Sequence, residues 1–212
     1  DYLSHLSYGI PVVMGADGLF NHGFKKWQAV QADYWFSVTE GQAQTIRALR
    51  PNLPPERVIV VGQPAFDPCL DLIPQKDQIR RQRRNELGLN DDKKAVLWWS
   101  TGMGEIIEED IEMAKAAIPY LSLFDVSLIY KLHPKLEKIR KGYLDNIHDR
   151  IRTHCKDYGV KIIIADKIPG EDLCLAADVI LSITCTEDIK STMMGGPPVV
   201  HLLGPVTRKW ME

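Results

Sequence analysis

The sequence predicts an α/β fold built on a parallel sheet, and two observations predict it. Seven short apolar runs recur: Ile10–Met14, Val58–Val61, Ala95–Trp99, Ser127–Tyr130, Ile162–Ala165, Val179–Ile183 and Val199–Leu203. They are rich in Val and Ile and do not alternate with polar residues, as strands buried on both faces do not. Amphipathic segments separate most of them. Strand and helix in alternation imply right-handed crossovers, and ligands of such sheets sit beyond the carboxyl ends of the strands.

The composition fits an ordinary globular chain. Of 212 residues, 45% are hydrophobic and 25% charged, which excludes disorder, collagen and coiled coil. Twenty-six Lys and Arg against 28 Asp and Glu leave a net charge of -2, so no broad footprint for nucleic acid exists. Any anion site must be local. Cys69, Cys155, Cys174 and Cys185 lie far apart, with no CxxC and no paired His, so neither a metal site nor a disulfide framework is indicated. We read them as reduced core thiols of a cytoplasmic protein. No stretch reaches the length of a membrane span, and the first residues lack a signal-peptide pattern. The chain starts without Met, which is expected of part of a longer protein.

Residues 1–62 are too short for a complete α/β domain. After the first run comes Gly15 to Lys26, a loop with His22 between turn glycines and two lysines following. A solvated turn is the plain reading, and acid/base work near an anionic substrate is the functional one. Residues 63–75 carry Pro64, Pro68 and Pro74 with little periodicity, as a linker between two units would. Residues 76–212, which open on Lys76, Arg80, Arg81, Arg83 and Arg84, hold five strand candidates. That basic helix face is expected to be a solvated surface, with peripheral contact to an anionic membrane or polymer as the alternative.

Three loops of this second unit follow strands. Ser100-Thr101-Gly102-Met103-Gly104 leads into a long helical stretch, and its glycines would admit a phosphate to backbone N–H groups or serve only a tight turn. Lys131-Leu132-His133-Pro134 places His133 in extended backbone at a strand end, because proline bars helix at the residue before it. A helix then runs from Leu136 to Ile151, on a stripe of apolar residues three and four apart. The third loop, Thr184-Cys185-Thr186-Glu187, offers hydroxyls that either cap a helix, with Thr186 as the cap, or join its N–H groups in holding phosphate. Trp98 and Trp99 are expected in the core or at its edge, where an aromatic at a strand end can also stack on a base.

Taken together, these segments resemble the GT-B superfamily of nucleotide-sugar enzymes over most of the chain. Ala32 to Val38 with the helix after it, then Arg57 to Asp67, is similar to the crossing between the two domains of such proteins. Ala177 to Val200 resembles their donor-binding block. His22-Gly23 with Lys25 or Lys26, and Lys131-Leu132-His133-Pro134, resemble motifs of the CDP-glycerol glycerophosphotransferase and capsule-polymer transferase branch. The UDP-N-acetylglucosamine 2-epimerase branch shares the crossover and the donor block. Two positions depart from the pattern: Cys185 replaces a small or hydroxyl residue, and Lys190 stands where an acidic donor contact is expected, with Glu187 the nearest substitute.

The resemblance implies a GT-B-like fold, with a Rossmann-type C-terminal domain at 76–212, truncated, and the end of an N-terminal α/β domain at 1–62. It implies a transferase moving a sugar or glycerol phosphate from a CDP- or UDP-linked donor to an acceptor hydroxyl in surface polysaccharide or polymer synthesis. No metal or other cofactor is required. His22 would be the base, and His133 would bind or protonate the donor phosphates. Thr101, Gly102, Gly104, Lys131, Thr184, Thr186 and Glu187 would hold the donor. A cytoplasmic site at the inner membrane face fits such chemistry. A sugar-nucleotide 2-epimerase and a non-catalytic nucleotide-sugar binding domain are the alternatives.

Overall fold

The computed structural model describes residues 13–15, 32–102, 104, 106–139 and 143–211. The chain divides into two compact units, Asp1–Asp67 and Pro68–Glu212. In the first, strands β1 (Val13–Gly15), β2 (Tyr34–Ser37) and β3 (Val58–Val60) form a parallel sheet in that order. Helix α1 (Glu40–Leu49) follows β2. Its N-cap Thr39 accepts from the Gln42 N–H, which satisfies one of the helix start's orphan amides, and the Gln42 side chain accepts in turn from the N–H of Val38, just before the cap. Trp35, Ala43, Ile46 and Val58 make a small core between this helix and the sheet. Strand β2 is not among the apolar runs of the sequence, since aromatic residues, not Val and Ile, carry it.

The second unit has a five-stranded parallel sheet: β4 (Lys94–Trp99), β5 (Val126–Lys131), β6 (Lys161–Ile164), β7 (Val179–Ser182) and β8 (Val199–His201). Their spatial order is β6-β5-β4-β7-β8. The order reverses between β4 and β7, the switch point beside which doubly wound sheets open a crevice. Alternate residues of one strand feed opposite cores: Leu97, Trp99, Ile129 and Ile180 on one side, Val96, Trp98, Leu128 and Tyr130 on the other. Hence the unbroken apolar runs.

Helices cover both faces. On one lie α2 (Asp67–Leu72), α3 (Lys76–Glu86) and α7 (Gly170–Ala176). On the other lie α4 (Ile107–Leu121), α5 (Pro134–Ile139) and α6 (Tyr143–Asp157). Helices α8 (Thr186–Met193) and α9 (Pro205–Met211) follow β7 and β8. The division between the units falls within residues 63–75, which form helical turns and not an irregular linker; Phe66 and Cys69 are buried there.

Two expectations are corrected. The stripe from Leu136 to Ile151 belongs to two helices, α5 and α6, and not to one. Apolar spacing alone cannot reveal such a break, because both helices present residues to the same core: Leu136 from the first, Ile147 and Ile151 from the second. The basic face of α3 is not a solvated surface. Arg84 is buried and donates to the carbonyls of Ala176, Asn90 and Lys93. Arg80 donates to the carbonyls of Leu175 and Ala177 and pairs with Asp178, and Arg83 pairs with Asp172. These cations fasten α3 to α7 and to the start of β7; Arg81 stays exposed.

Candidate functional site

The carboxyl ends of β4, β5, β6 and β7 enclose a cleft of about 390 Å³. Its wall includes Trp99 and Ser100 from the end of β4, His133 from that of β5, Asp166 from that of β6, and Cys185 and Glu187 after β7. All of it lies in the second unit.

His133 precedes Pro134, the first residue of α5, a position where proline's missing N–H costs nothing. Its Nδ1 accepts from the Lys135 N–H at 3.1 Å. The imidazole thus caps the helix start, and the bond assigns Nδ1 as acceptor, so that the neutral ring carries its proton on Nε2. Burial, and then the charges of Lys135 and Lys131, lower its pKa. A neutral ring that offers one N–H donor follows. Gly102 lies against this ring: a Cβ there would stand 2.5 Å from Nδ1. Glycine is required at 102 by that approach, and Gly104 has open space. Thr101 is buried, with the loop 100–102 seated over Asp110, whose carboxylate accepts from Trp98 Nε1 at 3.2 Å.

Lys131 is also buried, and its Nζ donates to the carbonyls of Asp166 at 2.8 Å, Ile168 at 2.7 Å and Ala165 at 3.4 Å. Leu132 N–H donates to Asp166 Oδ1, while His148 Nε2 lies 2.9 Å from Asp166 Oδ2. Burial opposes the charge of Asp166, yet the adjacent His148, the bond from the Leu132 N–H and the Lys131 charge outweigh it and lower its pKa.

Beyond β7, Glu187 Oε1 accepts from Lys190 Nζ at 2.9 Å, and the same Nζ donates to Glu171 Oε1 at 2.6 Å. Burial works against the Lys190 charge, but the two carboxylates prevail and raise its pKa. Glu187 Oε2 is buried without a hydrogen-bond partner, and burial raises the acid's pKa. Position 190 therefore carries a cation that pairs with two acids, and Glu187 is the acid of the two that lines the cleft. The capping expectation for Thr186 is corrected: Cys185 is the N-cap of α8, with no side-chain capping bond, and Thr186 is an exposed first helical residue. Burial pushes the Cys185 thiol up to about 12, so it stays neutral.

Of the residues singled out in the sequence, Lys131, His133 and Glu187 line the cleft, and Gly102 supports His133. Thr101, Gly104, Thr184 and Thr186 are not part of its wall. His22 lies outside the described residues. The sequence reading missed Asp166 and Gly170, although both follow a strand whose apolar run is plain. Among the described residues no three His, Cys, Asp or Glu side chains gather as a metal site would, and no helix is long and apolar enough to cross a membrane.

No family model matches the chain, and no curated protein does. Solved structures do match. A UDP-GlcNAc 2-epimerase from Neisseria meningitidis, bound to UDP-GlcNAc, aligns with 98% of this chain and 57% of its own length at TM-score 0.63 and 19% identity. A glycosyltransferase from Rickettsia africae aligns with 97% of this chain and 55% of its own at TM-score 0.59 and 14% identity. The wall teichoic acid polymerase TagF aligns with 90% of this chain and 46% of its own at TM-score 0.52 and 16% identity. The chain thus spans about half the length of the structures it matches. The fold is GT-B-like, with a Rossmann-type parallel sheet in its second unit.

Proposed function

We propose that this chain is the donor-binding part of a GT-B transferase that uses a nucleotide diphosphate-linked sugar or glycerol phosphate. The observation that carries the reading is the cleft at the carboxyl ends of β4 to β7, where a neutral His133 carries its proton on Nε2 and the Glu187 side chain forms part of the wall. The N–H suits a phosphate oxygen and the carboxylate a hydroxyl of the nucleotide. In transfer, the acceptor hydroxyl oxygen bonds to the sugar carbon or to the glycerol-phosphate phosphorus as the bond to the nucleotide phosphate breaks. His22 takes the hydroxyl proton. His133 donates to the departing phosphate, where negative charge grows and a fixed donor lowers the barrier. No metal takes part in this scheme, and a cytoplasmic enzyme making envelope polysaccharide is the setting it implies. The Lys131-Leu132-His133-Pro134 sequence favours this over 2-epimerisation.

A thermal-shift panel of CDP, UDP, GDP and ADP tests the reading. A nucleotide at about 100 times its Kd adds about 2.7 kcal/mol, which for a chain of this size is a rise of roughly 5–10 °C. Flat melts with both pyrimidines would overturn it. In the full-length protein, free nucleotide with a transferred product, rather than an isomerised sugar, separates transfer from epimerisation.

A further inference from the structure

The cleft contains a lysine that no phosphate needs to explain. We propose that Lys131 is a positioning residue, whose ammonium holds the turn 165–170 that forms one wall of the cleft, and that it does not bind the donor's phosphates. An ammonium has three protons and no acceptor. All three have carbonyl partners here, those of Ala165, Asp166 and Ile168, and the residue is 5% exposed. A phosphate could recruit this charge only by taking protons from carbonyls that are buried or half-buried, which would then lose their donor. The link is reciprocal: Lys131 reaches across to the backbone of the turn, and the Leu132 N–H reaches the Asp166 side chain, which His148 braces from α6. Two adjacent residues at the end of β5 thus fix the turn after β6. The turn matters to the cleft because it leads into Gly170, where a Cβ would stand 3.0 Å from Glu187 Oε2 and 3.3 Å from the Trp99 ring. Displacing it would move the wall packed against Glu187.

Where the cleft binds a nucleotide, as proposed above, the two roles give different results. A phosphate ligand would make Lys131→Met weaken a nucleoside diphosphate selectively and flatten the salt dependence of binding. A positioning role makes the same substitution weaken the nucleoside and its diphosphate by equal factors, with the salt dependence kept. The readout that stands apart from nucleotide binding is amide hydrogen exchange of the ligand-free protein: Lys131→Met should speed exchange across residues 166–171 at least tenfold, with β4 unchanged. If the wild type binds no nucleotide while this exchange effect appears, the transferase reading falls and the positioning role stands. Exchange unchanged by the substitution, or a selective loss of the diphosphate, overturns the positioning role. Reductive methylation of the wild type covers the case in which the variant does not fold. Lys131 should resist labelling with and without CDP or UDP, whereas rapid labelling in the free protein that either nucleotide blocks would reverse the assignment.

Discussion

Gly102 and Gly104 sit two residues apart in one loop and make opposite demands. Alanine at 102 would press its Cβ into the His133 ring, while alanine at 104 meets nothing within 4 Å. Gly102→Ala should therefore cost about 1–3 kcal/mol, as overpacking does, and weaken nucleotide binding about tenfold by turning His133 off its cap; Gly104→Ala should be silent in both. Denaturant melts and titrations of the pair decide, and equal behaviour would contradict the role given to Gly102. Asp110 gives a second test. Burial raises its pKa to about 7, against the bonds from Ser100, Trp98 and Thr101. Between about 4 and 7 the folded chain keeps a proton that the unfolded chain has lost, so stability falls as pH rises through this window, by on the order of 4 kcal/mol in all. Glu187 and Asp188 are raised as well and act in the same direction, while Asp166, Glu171 and Asp178 are lowered and oppose them. The difference between wild type and Asp110→Asn isolates the one group: stability measured at pH 5 and 8 should fall less in the variant, and parallel curves would refute the assignment. His133 was legible in the sequence because Pro134 fixes its backbone locally. The partners of Lys131 lie over thirty residues away, and nothing in its neighbours discloses them.

Helix α3 shows why charge in a sequence is a poor guide to a face. Its cations look like a surface because Arg and Lys are usually solvated, yet the carbonyls that hold Arg84 come from the end of α7 and from the residues before β4. Those acceptors are backbone groups, which composition does not show. Arg84→Met should leave the buried carbonyl of Ala176 and the half-buried ones of Asn90 and Lys93 without their donor and cost about 3–5 kcal/mol, as the loss of one member of a buried charged network does. Arg81→Met on the exposed side of the same helix should stay within about 0.5 kcal/mol. Urea denaturation of the two variants reads this directly, and similar midpoints would return α3 to the role of a solvated surface. The strands were legible for the reverse reason. Burial on both faces leaves an unbroken apolar run in β4 and β5, and the edge strands β6 and β8 keep such a run although they are half-buried or exposed, so β4 to β8 could be read from residue type alone, whereas the aromatic β2 did not fit that template.

At the scale of the whole chain, the two units make separable contributions to the proposed reaction. Every residue that lines the cleft belongs to 68–212, while His22, the proposed base, belongs to 1–67. The second unit has its own two cores, one on each face of its five-stranded sheet. A fragment of residues 68–212 should therefore fold and bind the donor nucleotide with a Kd within about twofold of the 1–212 chain. Retention of affinity with loss of transfer would follow from a reaction in which one unit grips the donor and the other removes the acceptor's proton, since ground-state binding and transition-state stabilisation then reside in different residues. Circular dichroism establishes folding of the fragment, and calorimetric titration with CDP and UDP gives the constants. A folded fragment whose affinity falls tenfold or more would mean that the donor's contacts extend into residues 1–67, and the cleft described here would then be only part of the site.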